Sequence, residues 1–459
     1  MIHCKRDLLS GSLLKNMIIF AVPLMLSSVL QLLFNAADLV IVGKFDKVTG
    51  SIAQGAVGST GSLINLIVNL FVGFSIGANV IVARYIGAKN DSDLKSAVRT
   101  SMIIALLSGV AIAIIGVSLA RPMLLLMDAN PEVLPMAEIY IKIYFIGAPF
   151  IMLYNFGSSI LRAVGNTVKP MVYLTIAGIV NVVLNLFMVI VLKMSITGVA
   201  IATTASQIVS SILVLHHLLT TKQNYRLDLS TLKISADKIR LIIKIGLPAG
   251  IQGTLFSISN VLIQSSINTF STNMVTGNGI SLNIEGFAFV VMNAFHQAAI
   301  TFTGQFCGAG RHKEIGKIVT RALSAVVVSG VVMGAVMLLF GEQLLGIYSN
   351  DPEVIKFGLI RLNIFGMTFF TAGLMDVMAG TMRGLGYSFV PMLTSIIGVC
   401  GLRIVWLYTV FEKHRTIETL YYSYPITWSI TFIVLFILYV IIKRRIYRRE
   451  GITLKTRRA

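Results

Sequence analysis

FAVPLMLSSVLQLLFNAADLVIVGKF, residues 20 to 45, is a membrane-length apolar run with one acid, Asp38, inside it. Stepping back from Asp38 by helical intervals of three and four reaches Asn35, Gln31 and Ser27 or Ser28, so the polar side chains line up as one stripe. Leu, Val and Phe cover the rest of the cylinder. A carboxylate at bilayer depth costs at least ~2.5 kcal/mol, so such an acid normally faces a water-filled cavity or a partner and marks an ion or substrate path. The alternative is an acid near the helix end, wetted by interfacial water. Pro23 on the same helix removes one backbone hydrogen bond and permits a kink.

The rest of the chain has the same character. Of 459 residues, 56% are hydrophobic and 12% charged, with a mean hydropathy of +0.84, too much apolar surface for a soluble core. The apolar runs exceed the ~10-residue strands of an outer-membrane barrel and lack their alternation. The reading is an all-α polytopic membrane protein. A net charge of +19 would suggest nucleic acid in a soluble chain. Here Lys and Arg lie between and after the apolar runs, where they set topology and meet anionic lipid head groups, so no nucleic-acid partner is expected. Cys4, Cys307 and Cys400 show neither paired nor CxxC spacing. The first apolar run is expected to be an uncleaved membrane helix rather than a signal peptide.

Gly, Pro, Asn and charged punctuation divides the chain into twelve expected helices, near 15–43, 52–82, 97–120, 136–161, 169–192, 197–219, 241–268, 280–306, 318–341, 356–382, 390–411 and 420–442. With the termini inside, 28 Lys and Arg fall on the inner side and nine outside, Arg361 among the nine, while Arg403 lies within a helix. That bias predicts cytoplasmic termini. The chain also repeats. LRAVGNTVKPM at 161–171 matches MRGLGYSFVPM at 382–392, an offset of 221 that also aligns Gly87 with Gly308 and Pro131 with Pro352. An offset of 225 aligns Pro23, Asn35 and Phe45 with Pro248, Asn260 and Phe270. Two pseudo-symmetric six-helix bundles follow. The expected division is an N-terminal lobe at 1–219, a cytoplasmic linker at 220–240, a C-terminal lobe at 241–442 and a basic cytoplasmic tail at 443–459.

The first helix with Pro23 and Asp38, the Arg84-Tyr-Ile-Gly-Ala turn with its Gln305-Phe-Cys-Gly-Ala counterpart, and the doubled Arg162 and Arg383 segments together resemble the multidrug and toxic compound extrusion (MATE) transporters. The resemblance implies two six-helix bundles in a V, exporting organic cations and other amphipathic drugs in exchange for protons or sodium ions. On it, Asp38 matches the family's first-helix acid and Asn181 an asparagine lining the same cavity. The chain departs from many members at Asn185, where an aspartate is common, and on helix seven, which carries no acid between Ala249 and Asn268. Both departures remove candidate cation ligands.

Asn181 and Asn185, four apart, share a helical face. Their amide oxygens either complete a cation shell around Asp38 or make interhelical hydrogen bonds worth ~0.6 kcal/mol. In the second half, Asp376 lies seven residues before Arg383 on one face, for substrate or proton binding or for a structural contact. Glu285 and His296 fall on one face of helix eight; the glutamate favours function, the histidine a structural hydrogen bond. Arg162 and Arg383 read as anchors or C-caps, and Arg403 needs snorkelling or an acidic partner. Asn260 and Gln264, with Ser257 and Asn268, form an uncharged stripe on helix seven.

The functional expectation is a secondary active multidrug efflux transporter of the inner or plasma membrane, working by alternating access. Asp38, Asn181 and Asn185 would handle the coupling ion, proton or sodium; Gln31, Asn35, Asn260, Gln264, Glu285 and Asp376 would line the substrate cavity. The chain contains no HExxH, GxSxG, P-loop or clustered Cys/His, which argues against an intramembrane enzyme and leaves an ion gradient as the energy source. No cofactor or resident metal is expected beyond a transported Na+ at Asp38. The expected partners are small amphipathic or cationic substrates and membrane lipids, with the chain as a monomer. A flippase for lipid-linked sugar precursors is the alternative, favoured by cationic residues inside a cavity and helices beyond twelve.

Overall fold

In the computed structural model the described residues are 8–45, 50–126, 131–228 and 234–451. The expected basic tail beyond 451, residues 229–233 of the expected linker, and Cys4, Lys5 and Arg6 lie outside them. Every regular element among the described residues is helical. The first half runs α1 (Leu13–Phe45), α2 (Gly50–Gly87), α3 (Asp91–Leu126), α4 (Leu134–Ile146), α5 (Ala148–Ala163), α6 (Val168–Leu186), a π-helical turn (Phe187–Val191) and α7 (Ser195–Thr220). The second runs α8 (Ala236–Ile267), α9 (Thr272–Gly308), α10 (His312–Gly346), α11 (Pro352–Thr368), α12 (Phe370–Gly384), α13 (Phe389–Ser395), a π-helical stretch (Ile396–Gly401), α14 (Leu402–Trp406), another (Leu407–Phe411) and α15 (Ile417–Arg449).

Nine of these spans are individually long and apolar enough to cross a membrane, and the bent pairs α4–α5 (48°) and α11–α12 (51°) each supply one more. The 37 residues of α9 are long enough but more polar, because Asn278, Ser281, Glu285 and His296 point into the protein rather than at lipid. With α9 the described spans number twelve. Outward faces carry large apolar side chains, such as Ile114 at 63%, Val328 at 64% and Leu339 at 72% exposure. A hydrocarbon solvent accepts that pattern and water does not.

The described chain forms two compact units, one of 22–254 and one of 8–21 with 255–451. In the first, α8 is drawn against α2 by glycines: a Cβ on Gly73 would strike the Gly250 backbone and one on Gly77 the Ile242 carbonyl. Small residues on both helices let the backbones touch, the usual device for packing where lipid supplies no hydrophobic drive. In the second, Phe20 of α1 packs edge-on against Phe302 of α9, with centroids 5.6 Å apart.

The sequence repeat is a structural repeat. Gly165 and Gly386 both hold φ of 84°. Each closes its helix with the same bonds: Gly165 N to Arg162 O and Asn166 N to Leu161 O at 2.9 Å, Gly386 N to Arg383 O at 2.7 Å and Tyr387 N to Met382 O at 2.9 Å. This is a glycine C-cap in the left-handed region, which a side chain would oppose. The bends repeat too, α4 meeting α5 at Gly147 and α11 meeting α12 at Phe369.

One expectation is corrected here. Arg361, counted among the outer-side charges, lies within α11 and is 2% exposed. Its guanidinium stays inside because α9 supplies an acid to meet it.

Candidate functional site

The first unit gathers Asp38, Asn181 and Asn185, and adds Thr203. Asp38, on α1, is 7% exposed. Asn185 of α6 donates through Nδ2 to Asp38 Oδ1, and Thr203 of α7 donates through Oγ1 to Asp38 Oδ2 at 3.3 Å. The set is cross-linked, since Asn185 Nδ2 also reaches Asn181 Oδ1 at 3.3 Å and Asn181 Nδ2 reaches Thr203 Oγ1 at 3.4 Å. Among the described residues Asn185 Oδ1 is buried without a partner. A carboxylate, two amides and a hydroxyl from three helices are all hard oxygen donors of the kind that hold Na+ or share a proton.

Packing explains how α1 brings its acid so close. Gly178, two turns before Asn185 on α6, is pressed by the ring of Phe34, one turn before Asp38; a Cβ on Gly178 would overlap that ring. The missing side chain lets the two helices close up one to two turns from the acid. Immediately after Asn185, α6 passes into the π-helical turn Phe187–Val191. Such insertions cluster at functional positions because they redirect side chains and loosen the backbone ladder. Gln31 and Asn35, expected on the same stripe as Asp38, are exposed on α1 and do not join the cluster.

In the second unit the expected cavity residues fall into two groups. Glu285 of α9 and Arg361 of α11 form a bidentate pair, Nε to Oε1 at 2.6 Å and Nη2 to Oε2 at 2.9 Å. Arg361 Nη1 donates to Asn278 Oδ1 at 2.9 Å, which also accepts from Tyr421 at 3.0 Å. Asn278 Nδ2 donates to Gln264 Oε1 at 3.2 Å, and Gln264 Nε2 to Asn268 Oδ1 at 2.9 Å. The uncharged stripe on α8 is therefore wired to the buried pair. Asn260, exposed on α8, accepts from Arg403 Nη1 at 3.4 Å.

Asp376 belongs to the other group. Its backbone carbonyl lies 2.6 Å from His296 Nδ1, and Arg383 Nη1 lies 3.0 Å from His296 Nε2. Arg383 cannot donate into a protonated nitrogen, so the ring is the Nδ1–H tautomer, donating to Asp376 O and accepting from Arg383. His296 is a structural bridge between α9 and α12. It stands eleven residues from Glu285 along α9, ~16 Å at helical rise, so Asp376 and Glu285 do not share a site.

Comparison with known proteins fits this geometry. The MatE family model matches residues 23–187 and 248–409, one copy in each half of the repeat. The chain belongs to the MatE family. It is 25% identical over 434 residues to the probable multidrug resistance protein YoeA of Bacillus subtilis, covering 93% of both chains. It is 26% identical over 400 residues to the probable multidrug resistance protein YpnP of the same organism, covering 86% of this chain and 88% of the relative. Among solved structures, one described as the outward-facing conformation of a multidrug resistance MATE family transporter superposes with a TM-score of 0.89 at 20% identity, covering 98% of this chain and all of the other. MatE members are transporters rather than enzymes, and the all-helical, twelve-span fold is theirs.

Proposed function

We propose that this chain is a secondary active exporter that exchanges organic cations or amphipathic drugs for H+ or Na+ by alternating access. The observation that carries the reading is the Asp38 cluster: one buried carboxylate held by amide and hydroxyl groups from two further helices, with one amide oxygen, Asn185 Oδ1, left over. Arrival of a proton or Na+ neutralises Asp38. The donors that face an ionised carboxylate then lose much of their attraction for it, since hydrogen bonds to a charge are roughly twice as strong as neutral ones. The α1–α6–α7 packing repacks in response, and Pro23 and the π-helical turn after Asn185 are the places on α1 and α6 where backbone bonds yield at least cost. One positive charge entering across 100 mV supplies ~2.3 kcal/mol, a roughly fifty-fold concentration ratio, enough for useful export.

The excess of Lys and Arg in alternate connections puts both termini in the cytoplasm of an inner or plasma membrane. The multidrug resistance relatives support small-molecule substrates. A flippase for lipid-linked sugars is the second reading, favoured by buried cations in the second unit. Glu285 neutralises one of these, Arg361.

The test is export of a fluorescent organic cation from proteoliposomes, with sodium and proton gradients imposed separately, for the wild type and Asp38→Asn. Gradient-driven export that disappears in the variant establishes the exchange and names its ion. Export unaltered in Asp38→Asn removes Asp38 from coupling, and no movement under either gradient turns the reading toward the flippase.

A further inference from the structure

We propose that the second unit holds an oxyanion-binding subsite at Arg403, which receives the carboxylate or phosphate of an amphipathic ligand. This deepens the transporter reading by naming a residue that selects among its substrates.

Arg403 is 3% exposed and eight residues from the end of its span at Phe411. A snorkelling arginine would carry its head to the interface. This one instead lies over the Tyr424 ring, 4.1 Å from the centroid, with Nη1 on Asn260 at 3.4 Å and Nε buried without a partner among the described residues. None of the ion pairs among the described residues includes it. Glu285, the acid nearby in this network, is already held through both oxygens by Arg361, whose guanidinium lies 5.4 Å from the same Tyr424 ring. Two guanidinium groups therefore lie over one tyrosine ring, and the nearby carboxylate is taken by Arg361 alone. A buried cation left without a counter-charge is costly, and an oxyanion from outside the chain is the group that removes the cost.

The repeat says where this is. At the offset of 221, Arg403 falls beside the position of Asn181, and at 225 its partner Asn260 falls on Asn35, one turn from Asp38. The helix pair α1–α6 of the first unit thus corresponds to α8 with α13–α14 of the second. Where the first unit sets an acid among amides, the second sets a cation beside an amide. Both loci adjoin π-helical backbone, Phe187–Val191 in one and Ile396–Gly401 with Leu407–Phe411 in the other. Asn260 is exposed on α8, which makes it the approach to the guanidinium, and the neighbouring Tyr424 and Trp428 rings, 5.5 Å apart, offer an apolar wall for the rest of the ligand.

The experiment uses the full chain purified in neutral detergent and measures equilibrium binding of a fluorescent fluoroquinolone acid and its methyl ester, which differ only in the carboxylate. No gradient is involved, so the outcome is independent of whether Asp38 couples transport. The acid should bind about tenfold more tightly than the ester, the worth of one charge-assisted hydrogen bond. Arg403→Gln should erase that preference by weakening the acid alone, and Arg403→Lys should keep part of it. Should Arg403→Gln fail to fold, Asn260→Asp, nearly isosteric and exposed, sets a carboxylate against the guanidinium and should erase the preference in the same way. Phosphatidylglycerol that displaces the acid but not the ester identifies a lipid phosphate as an occupant of the same site; its failure to compete leaves the soluble oxyanion. Equal binding of acid and ester by the wild type, or equal weakening of both in the variants, overturns the proposal.

Discussion

Glu285 and Arg361 face each other as a fork on a fork inside the second unit, both nitrogen–oxygen distances at 2.9 Å or less and both side chains under 10% exposed. Such a pair gains little over an apolar replacement of the same size, yet removing one partner leaves a bare charge at ~3–5 kcal/mol. Glu285→Gln and Arg361→Met alone should therefore lower the thermal unfolding midpoint in detergent sharply, while Glu285→Leu with Arg361→Met together should restore most of it. A double variant as unstable as the worse single one would show that Asn278 and Tyr421, which hang on Arg361, matter more than the charge pair.

At the acid of the first unit, the hydroxyl of Thr203 supplies Asp38 Oδ2 with a donor. Thr203→Val keeps the shape and deletes the bond, at about 1–3 kcal/mol for a charged acceptor. The expected result is a change of roughly tenfold in the half-saturating concentration of the driving ion, with detergent-state drug binding unaltered. Thr203→Ser should behave as wild type. An unchanged ion dependence in Thr203→Val would detach α7 from the coupling site.

The approach of α1 to α6 depends on Gly178 making room for Phe34. Gly178→Ala should force the two helices apart or the ring off its rotamer, costing about 1–3 kcal/mol, and should cut export because Asp38 is pulled from Asn185. Phe34→Leu in the same chain frees the space and should recover activity. Export by Gly178→Ala equal to wild type would mean that the ring simply swings aside.

What the sequence made legible follows from how local each signal is. Asp38 was readable because acids are rare in apolar runs; Asn181 came from the family resemblance, and the four-residue spacing put Asn185 on its face. Thr203 was not. It sits in Thr203-Thr204-Ala205-Ser206, small polar residues that helix interiors tolerate anywhere, and only the packing of α7 on α1 and α6 singles it out. Arg361 was misassigned because it lies two and a half turns inside α11, close to the exposed Lys356, and its acid is 76 residues away on another helix. Gln31 and Asn35 show the converse: a stripe drawn on one helix fixes which residues share a face, and does not say what that face meets.

The repeat offers the last test. Gly165 and Gly386 hold the same φ of 84° at corresponding positions in separate units, each ending a helix that carries an arginine three residues earlier. An alanine in that conformation costs about 1–2 kcal/mol from the clash of its Cβ with the backbone. Gly165→Ala and Gly386→Ala should therefore destabilise by similar amounts, and the double variant by their sum, because sites with no shared partners add within ~0.5 kcal/mol. Denaturant unfolding of the detergent-solubilised protein reads this directly. A double variant costing markedly more than the sum would show that the two caps are coupled; a Gly386→Ala effect several times larger would point to Arg383, whose bond to His296 ties that cap into the interior of its unit in a way Arg162, bonded to Ser159 within its own helix, does not share.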